Sequence, residues 1–155
     1  MEPGAQISPA TARDEAAGKH LPLRVVIAED EAAIATLLTL SLESAGYVVT
    51  STSDGEAALA KILETLPDVV LLDMMMPKMD GTEVVRRMKE TPATSSIAII
   101  MLTARSDDSD VWDGWASGVN YYLTKPFDLE AVVRCVGEVA SMSRDAPISE
   151  EEDGR

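Results

Sequence analysis

Short continuous apolar runs alternate along this chain with segments whose large apolar residues return every three or four positions. The runs at residues 23–28, 47–51, 68–72, 97–102 and 120–124 are strand length, and their apolar character is mostly unbroken, as in strands buried on both faces. Between them the spacing predicts helices. Ile34, Leu37, Leu38, Leu42 and Ala45 share one stripe that Gly46 ends. Ser53 with Glu56 three residues later forms a capping-box signal, opening a helix through Ala57, Leu59, Ile62 and Leu63 toward a stop at Pro67. A third helix is expected over about residues 81–90 with Val84, Val85 and Met88 inward, and a fourth over about 107–117, closed by Gly118. Asp128 caps a last helix carrying Leu129, Val132, Val133, Val136 and Ala140.

Strands alternating with helices imply right-handed crossovers, and hence a doubly wound α/β fold: a five-stranded parallel sheet with helices on both faces. In such sheets the site lies at the carboxyl ends of the strands. Four runs end in polar residues: Glu29 and Asp30 after the first, Asp73 after the third, Thr103 after the fourth, and Lys125 with Pro126 after the fifth. Brought together, they supply carboxylates, a hydroxyl and an ammonium, an inventory suited to Mg²⁺ and a phosphoryl group.

Composition narrows this picture. The chain has 155 residues and a net charge of −14, and residues 23–144 alone hold 19 acidic against 10 basic side chains. Such a surface argues against nonspecific binding to nucleic acid or an anionic membrane, so neither is expected as a direct partner. Residues 1–22, poor in large apolar side chains, are expected to form a disordered arm, 23–144 the folded domain, and 145–155 an acidic disordered tail. No output domain is expected beside the folded one. A single cysteine, Cys135, and the lack of a secretory leader or an apolar span point to a reducing cytoplasm.

The segment Leu71-Leu72-Asp73-Met74-Met75-Met76-Pro77-Lys78-Met79-Asp80-Gly81 and the segment Tyr122-Leu123-Thr124-Lys125-Pro126-Phe127, together with Glu29-Asp30 and Thr103-Ala104, resemble the receiver domain of two-component response regulators. The resemblance covers about residues 23–144 and implies the flavodoxin-like strand order 2-1-3-4-5. It implies Mg²⁺ held by Asp30, Asp73 and the backbone carbonyl of Met75, with Glu29 acting through a water. Asp73 becomes the phosphoacceptor, Thr103 and Lys125 the groups that contact the phosphoryl oxygens, and Thr103 with Tyr122 the switch pair. Pro126 matches the family proline whose preceding bond is cis.

Read without the resemblance, Glu29 and Asp30 could equally cap the helix that follows, since acids favour a helix N-terminus. Trp112 and Trp115, an i,i+3 pair, suit either core packing or, with Tyr122, an output face formed by the fourth helix, fifth strand and last helix. The expected function is a stand-alone response regulator that takes a phosphoryl group from a histidine kinase or a histidine phosphotransfer protein and signals to an unidentified downstream protein. A phosphorylation-dependent homodimer through the output face is one form of that signal. The expected chemistry is self-phosphorylation and self-dephosphorylation, not turnover of a substrate. A phosphatase with an aspartyl nucleophile would carry a second acid two residues later, where this chain has Met75, and no G-x-G-x-x-G follows the first strand to bind a dinucleotide.

Overall fold

The computed structural model describes residues 22–104 and 118–149, with backbone only from 142 onward. The chain runs β1 (Arg24–Ala28), α1 (Ala32–Ser44), β2 (Val48–Thr52), α2 (Gly55–Thr65), β3 (Val69–Asp73), α3 (Gly81–Glu90), β4 (Ala98–Thr103), β5 (Tyr121–Thr124) and α4 (Leu129–Ser149). The helix expected over 107–117 lies outside the described residues, as do 1–21 of the arm and 150–155 of the tail. Helical backbone continues past residue 145, where the sequence reading begins the tail. Extending a docked helix fixes one residue per new hydrogen bond, far less costly than nucleating a helix.

The strands form one sheet of order β2-β1-β3-β4-β5, parallel throughout. Because side chains alternate along a strand, each central strand feeds two cores. Val25, Ile27, Leu71, Ile100 and Leu102 pack beneath α1 and α4 with Leu38, Leu42, Val132 and Val136. On the other face Val26, Val70, Leu72, Ile99 and Met101 pack beneath α2 and α3 with Ile62, Val84, Val85 and Met88. Every residue of β3 and β4 is buried, which is why those runs carry no polar alternation until their last residue. Full burial of each large aliphatic side chain contributes about 1.5–3 kcal/mol relative to leaving it exposed.

Two local expectations are corrected. Leu37 is 51% exposed, because at 100° per residue the stripe through Ile34, Leu38 and Leu42 points inward and Leu37 falls on its flank. The cap of α2 is Asp54, not Ser53: Asp54 Oδ1 accepts from Ala57 N at 2.7 Å, and a carboxylate is a stronger acceptor than a hydroxyl.

Two glycines let the segment between β3 and α3 lie where it does. A Cβ on Gly81 would stand 2.6 Å from the carbonyl oxygen of Asp73, and Gly81 N donates to Met74 O at 2.8 Å. A Cβ on Gly55, at the start of α2, would stand 1.8 Å from Met79 O, while Gly55 N donates to Pro77 O at 3.4 Å. Between those contacts Lys78 takes φ +71 and Met79 N donates to Pro77 O at 2.7 Å, a γ-turn of the strained hand. Gly55→Ala should therefore cost about 2–3 kcal/mol through overpacking against backbone. Urea unfolding at unchanged m-value measures it; an unshifted midpoint would show that the loop yields freely.

Candidate functional site

Strand register brings the polar ends together. Ala28 pairs with Leu72 and Asp73 with Leu102, so Glu29, one step past β1, lies level with Asp73. Thr103 pairs with Thr124, and Lys125 N donates to Thr103 O at 2.7 Å, which seats Lys125 one step above. Glu29 and Asp73 continue the side-chain alternation of Val25–Ile27 and Val69–Leu71 and so emerge on the same side of the sheet.

Glu29, Asp73 and Thr103 are buried, whereas Asp30 is exposed. Lys125 Nζ lies 3.0 Å from Glu29 Oε1, 3.4 Å from Asp73 Oδ2 and 3.9 Å from Glu31 Oε1. The second oxygens of the two buried acids are held by backbone: Glu31 N donates to Glu29 Oε2 at 3.0 Å and Met75 N to Asp73 Oδ1 at 3.2 Å. The Thr103 hydroxyl stands 3.9 Å from Met74 Sδ. The Lys125–Pro126 peptide is cis. Tyr122 is half-buried and packs against the core beneath α2 and α3, while its neighbour Tyr121 is exposed. Trp112 and Trp115 lie outside the described residues. Beside Lys125 opens a cavity of about 450 Å³ lined by Glu31, Ile34, Leu37, Pro126, Phe127 and Leu129.

Burial, and then the negative charge of Glu29, pushes the Asp73 carboxyl up to about 6 against the partial relief that Lys125 gives. For Lys125, burial works against the charged form, but the bond to Glu29 and the charge of Asp73 outweigh it and raise the ammonium above its ordinary range. Among the described residues the pocket thus holds more negative charge than its lysine neutralises. Oxygens of Glu29, Asp30 and Asp73 all lie within 4.8 Å of one another, a hard-donor set that fits Mg²⁺ in kind and leaves ligand positions for water. The excess of carboxylates over ammonium among the described residues of the pocket is a second sign that a cation suits this place.

Sequence reasoning missed Glu31, Met74 and Gly55. Glu31 was visible as the third acid of an uninterrupted run after β1, whereas the approach of Gly55 to Met79 has no local signature.

Because the folded state holds the Asp73 proton more tightly than an unfolded chain, whose aspartate titrates near 3.8, this group's contribution to stability is full below about pH 4 and is lost as pH rises through about 6. In metal-free buffer, Asp73→Asn should be more stable than the parent at pH 7.5 by about 1–2 kcal/mol after solvent screening, the gain vanishing near pH 4. Thermal unfolding across that range checks the sign; a gain that grew on acidification would contradict it.

The chain matches the profile described as response regulator receiver domain over residues 25–136. It is 40% identical over 110 residues to the DNA-binding dual master transcriptional regulator RpaA of Synechocystis sp., covering 71% of this chain and 46% of that protein. It is 39% identical over 104 residues to the phosphate regulon transcriptional regulatory protein PhoB of Rhizobium meliloti, covering 67% and 46%. Among solved structures, the chemotaxis response regulator CheY4 of Vibrio cholerae superposes with a TM-score of 0.73 at 30% identity, over 76% of this chain and 98% of that one. The receiver domain of the Francisella response regulator 1452 gives 0.74 at 28% identity, over 78% and 98%.

The chain spans about half the length of the curated relatives it matches. This corrects the expectation that nucleic acid is excluded as a direct partner: RpaA, which is similar to this chain over 110 residues, is named as DNA-binding, and net acidity does not by itself exclude such a partner. No helix among the described residues is long and apolar enough to cross a membrane. Sheet order, strand-end chemistry and the match over residues 25–136 agree, and the chain belongs to the response regulator receiver domain family.

Proposed function

We propose that this domain is a phosphoryl-accepting switch in which Asp73 takes the phosphoryl group from a phosphohistidine on a histidine kinase or phosphotransfer protein. The observation that carries the reading is the placement of Asp73: buried at the end of β3, crowded by Glu29 and 3.4 Å from the Lys125 ammonium. Asp30, Asp73 and the Met75 carbonyl would hold Mg²⁺ directly, with Glu29 acting through a water; the ion's chemistry is neutralisation of the transferring oxygens and of the acids around them.

Asp73 reacts as the carboxylate, the dominant form above about pH 6. One of its oxygens forms a bond to phosphorus as the P–N bond to the donor imidazole breaks, the electron pair leaving with the imidazole. Lys125 turns from the acids to a phosphoryl oxygen, and the Thr103 hydroxyl donates to another. Drawing Thr103 inward opens room beside β5 into which the half-buried Tyr122 turns, shifting the neighbouring face between two populations. The DNA-binding relatives support an output that extends to nucleic acid as well as to protein.

Asp73→Asn should abolish labelling by ³²P-acetyl phosphate with Mg²⁺ while the fold is retained; full labelling of that variant would assign the phosphoryl group elsewhere. Asp30→Ala should raise the Mg²⁺ concentration for half-maximal labelling by about tenfold or more, and Glu29→Ala by less, since only Asp30 is assigned a direct bond. Magnesium titrations of the labelling rate separate the two, and equal shifts would contradict the division of roles.

A further inference from the structure

Glu31 occupies the cap position of α1, yet its side chain makes no capping bond, and glutamate is not among the residues that favour that position. Its backbone N–H is tied to the buried Glu29 carboxylate at 3.0 Å. Its own carboxylate, 63% exposed, stands 3.9 Å from Lys125 Nζ, on the rim where the acidic pocket meets the cavity of about 450 Å³. Lys125 already serves Glu29 and Asp73 at shorter range. The third acid is therefore poorly neutralised and adds negative charge at the entrance to Asp73.

We propose that Glu31 is a specificity-determining residue for the phosphoryl donor. Its charge selects against small free dianionic donors and favours a phosphoryl group delivered by a protein-borne imidazole, whose own surface contacts supply the binding free energy. This rests on the reading of Asp73 as phosphoacceptor. With an acyl phosphate the balanced step is formation of the Asp73 O–P bond as the P–O bond to the acyl group breaks, the carboxylate leaving with the electron pair. The dianion passes Glu31 on its way in, and like charges a few ångströms apart at a solvent-exposed rim repel to an extent that salt screens. As the phosphoryl group arrives, the 3.9 Å contact is the weakest of the three that Lys125 makes and the first to open.

The test compares labelling rates of the parent, Glu31→Gln and Glu31→Lys with acetyl phosphate and with phosphoramidate, whose net charge is one unit less negative, at saturating Mg²⁺. Magnesium affinity is measured separately by calorimetry, and the exposed position keeps both variants folded. Glu31→Gln should label about three- to tenfold faster with acetyl phosphate at low ionic strength. Glu31→Lys should gain more, phosphoramidate less, and 0.5 M salt should remove most of the difference. Parental rates in Glu31→Gln, or a gain equal for both donors and insensitive to salt, would overturn the role of Glu31. A parent protein that takes no more label than Asp73→Asn would instead overturn the reading of Asp73 itself.

Discussion

Burying the carboxylates of Glu29 and Asp73 side by side is unfavourable, and the ammonium of Lys125, 3.0 and 3.4 Å away, is what lets them coexist. An uncompensated buried charge costs about 3 kcal/mol or more. The cis bond to Pro126, the hydrogen bond from Lys125 N to Thr103 O and the register of β4 with β5 all bear on where that ammonium sits. Among the described residues one cation is shared among three acids, and the pocket is short of positive charge. The fold therefore keeps a site that gains stability when positive charge enters, and that site is the one the proposed chemistry uses.

The same economy holds in the backbone. The loop from Met74 to Asp80 is pinned at one end by Gly81 against the Asp73 carbonyl and in its middle by Gly55 against Met79. Its γ-turn at Lys78 is a strained conformation that persists because the contacts on either side define it. The ion pair between Lys78 and Asp54, at 3.8 Å and exposed on the lysine side, adds little to this. Contacts with backbone, in which no side chain can rotate away, hold the loop after Asp73 against the start of α2.

Much of this was legible in the chain because the physics is local. Continuous apolar runs mark doubly buried strands, and the first polar residue after each run marks the carboxyl edge, so the sequence alone places Glu29, Asp30, Asp73, Thr103 and Lys125 together. Strand limits moved by about a residue, since the last ladder partner depends on the neighbouring strand. Leu37 and the Asp54 cap were misread where two adjacent residues of like chemistry competed for one role. What stayed hidden depends on approach between distant segments: Gly55 with Met79, Thr103 with Met74, and Glu31 with Lys125. Periodicity carries no record of such meetings. The exclusion of nucleic acid failed for another reason: net charge does not report what proteins carrying such a domain bind, and RpaA is named as DNA-binding.

The strand order also sets a schedule for synthesis. β1 emerges first but lies between β2 and β3, so the nascent chain can pair its first three strands, and cover one face with α2 and α3, before β4 exists. The opposite face has only α1 as early cover. Leu38 and Leu42 of α1 share their core with Val132, Val136, Val139 and Ala140 of α4, which is made only after all five strands. Until then the part of that side not covered by α1 stays open to other apolar surfaces, and domains caught half-made in this way are prone to aggregate. Arrest or truncation before residue 129 would leave a chain with a paired sheet and one side covered by α1 alone, a substrate for chaperones.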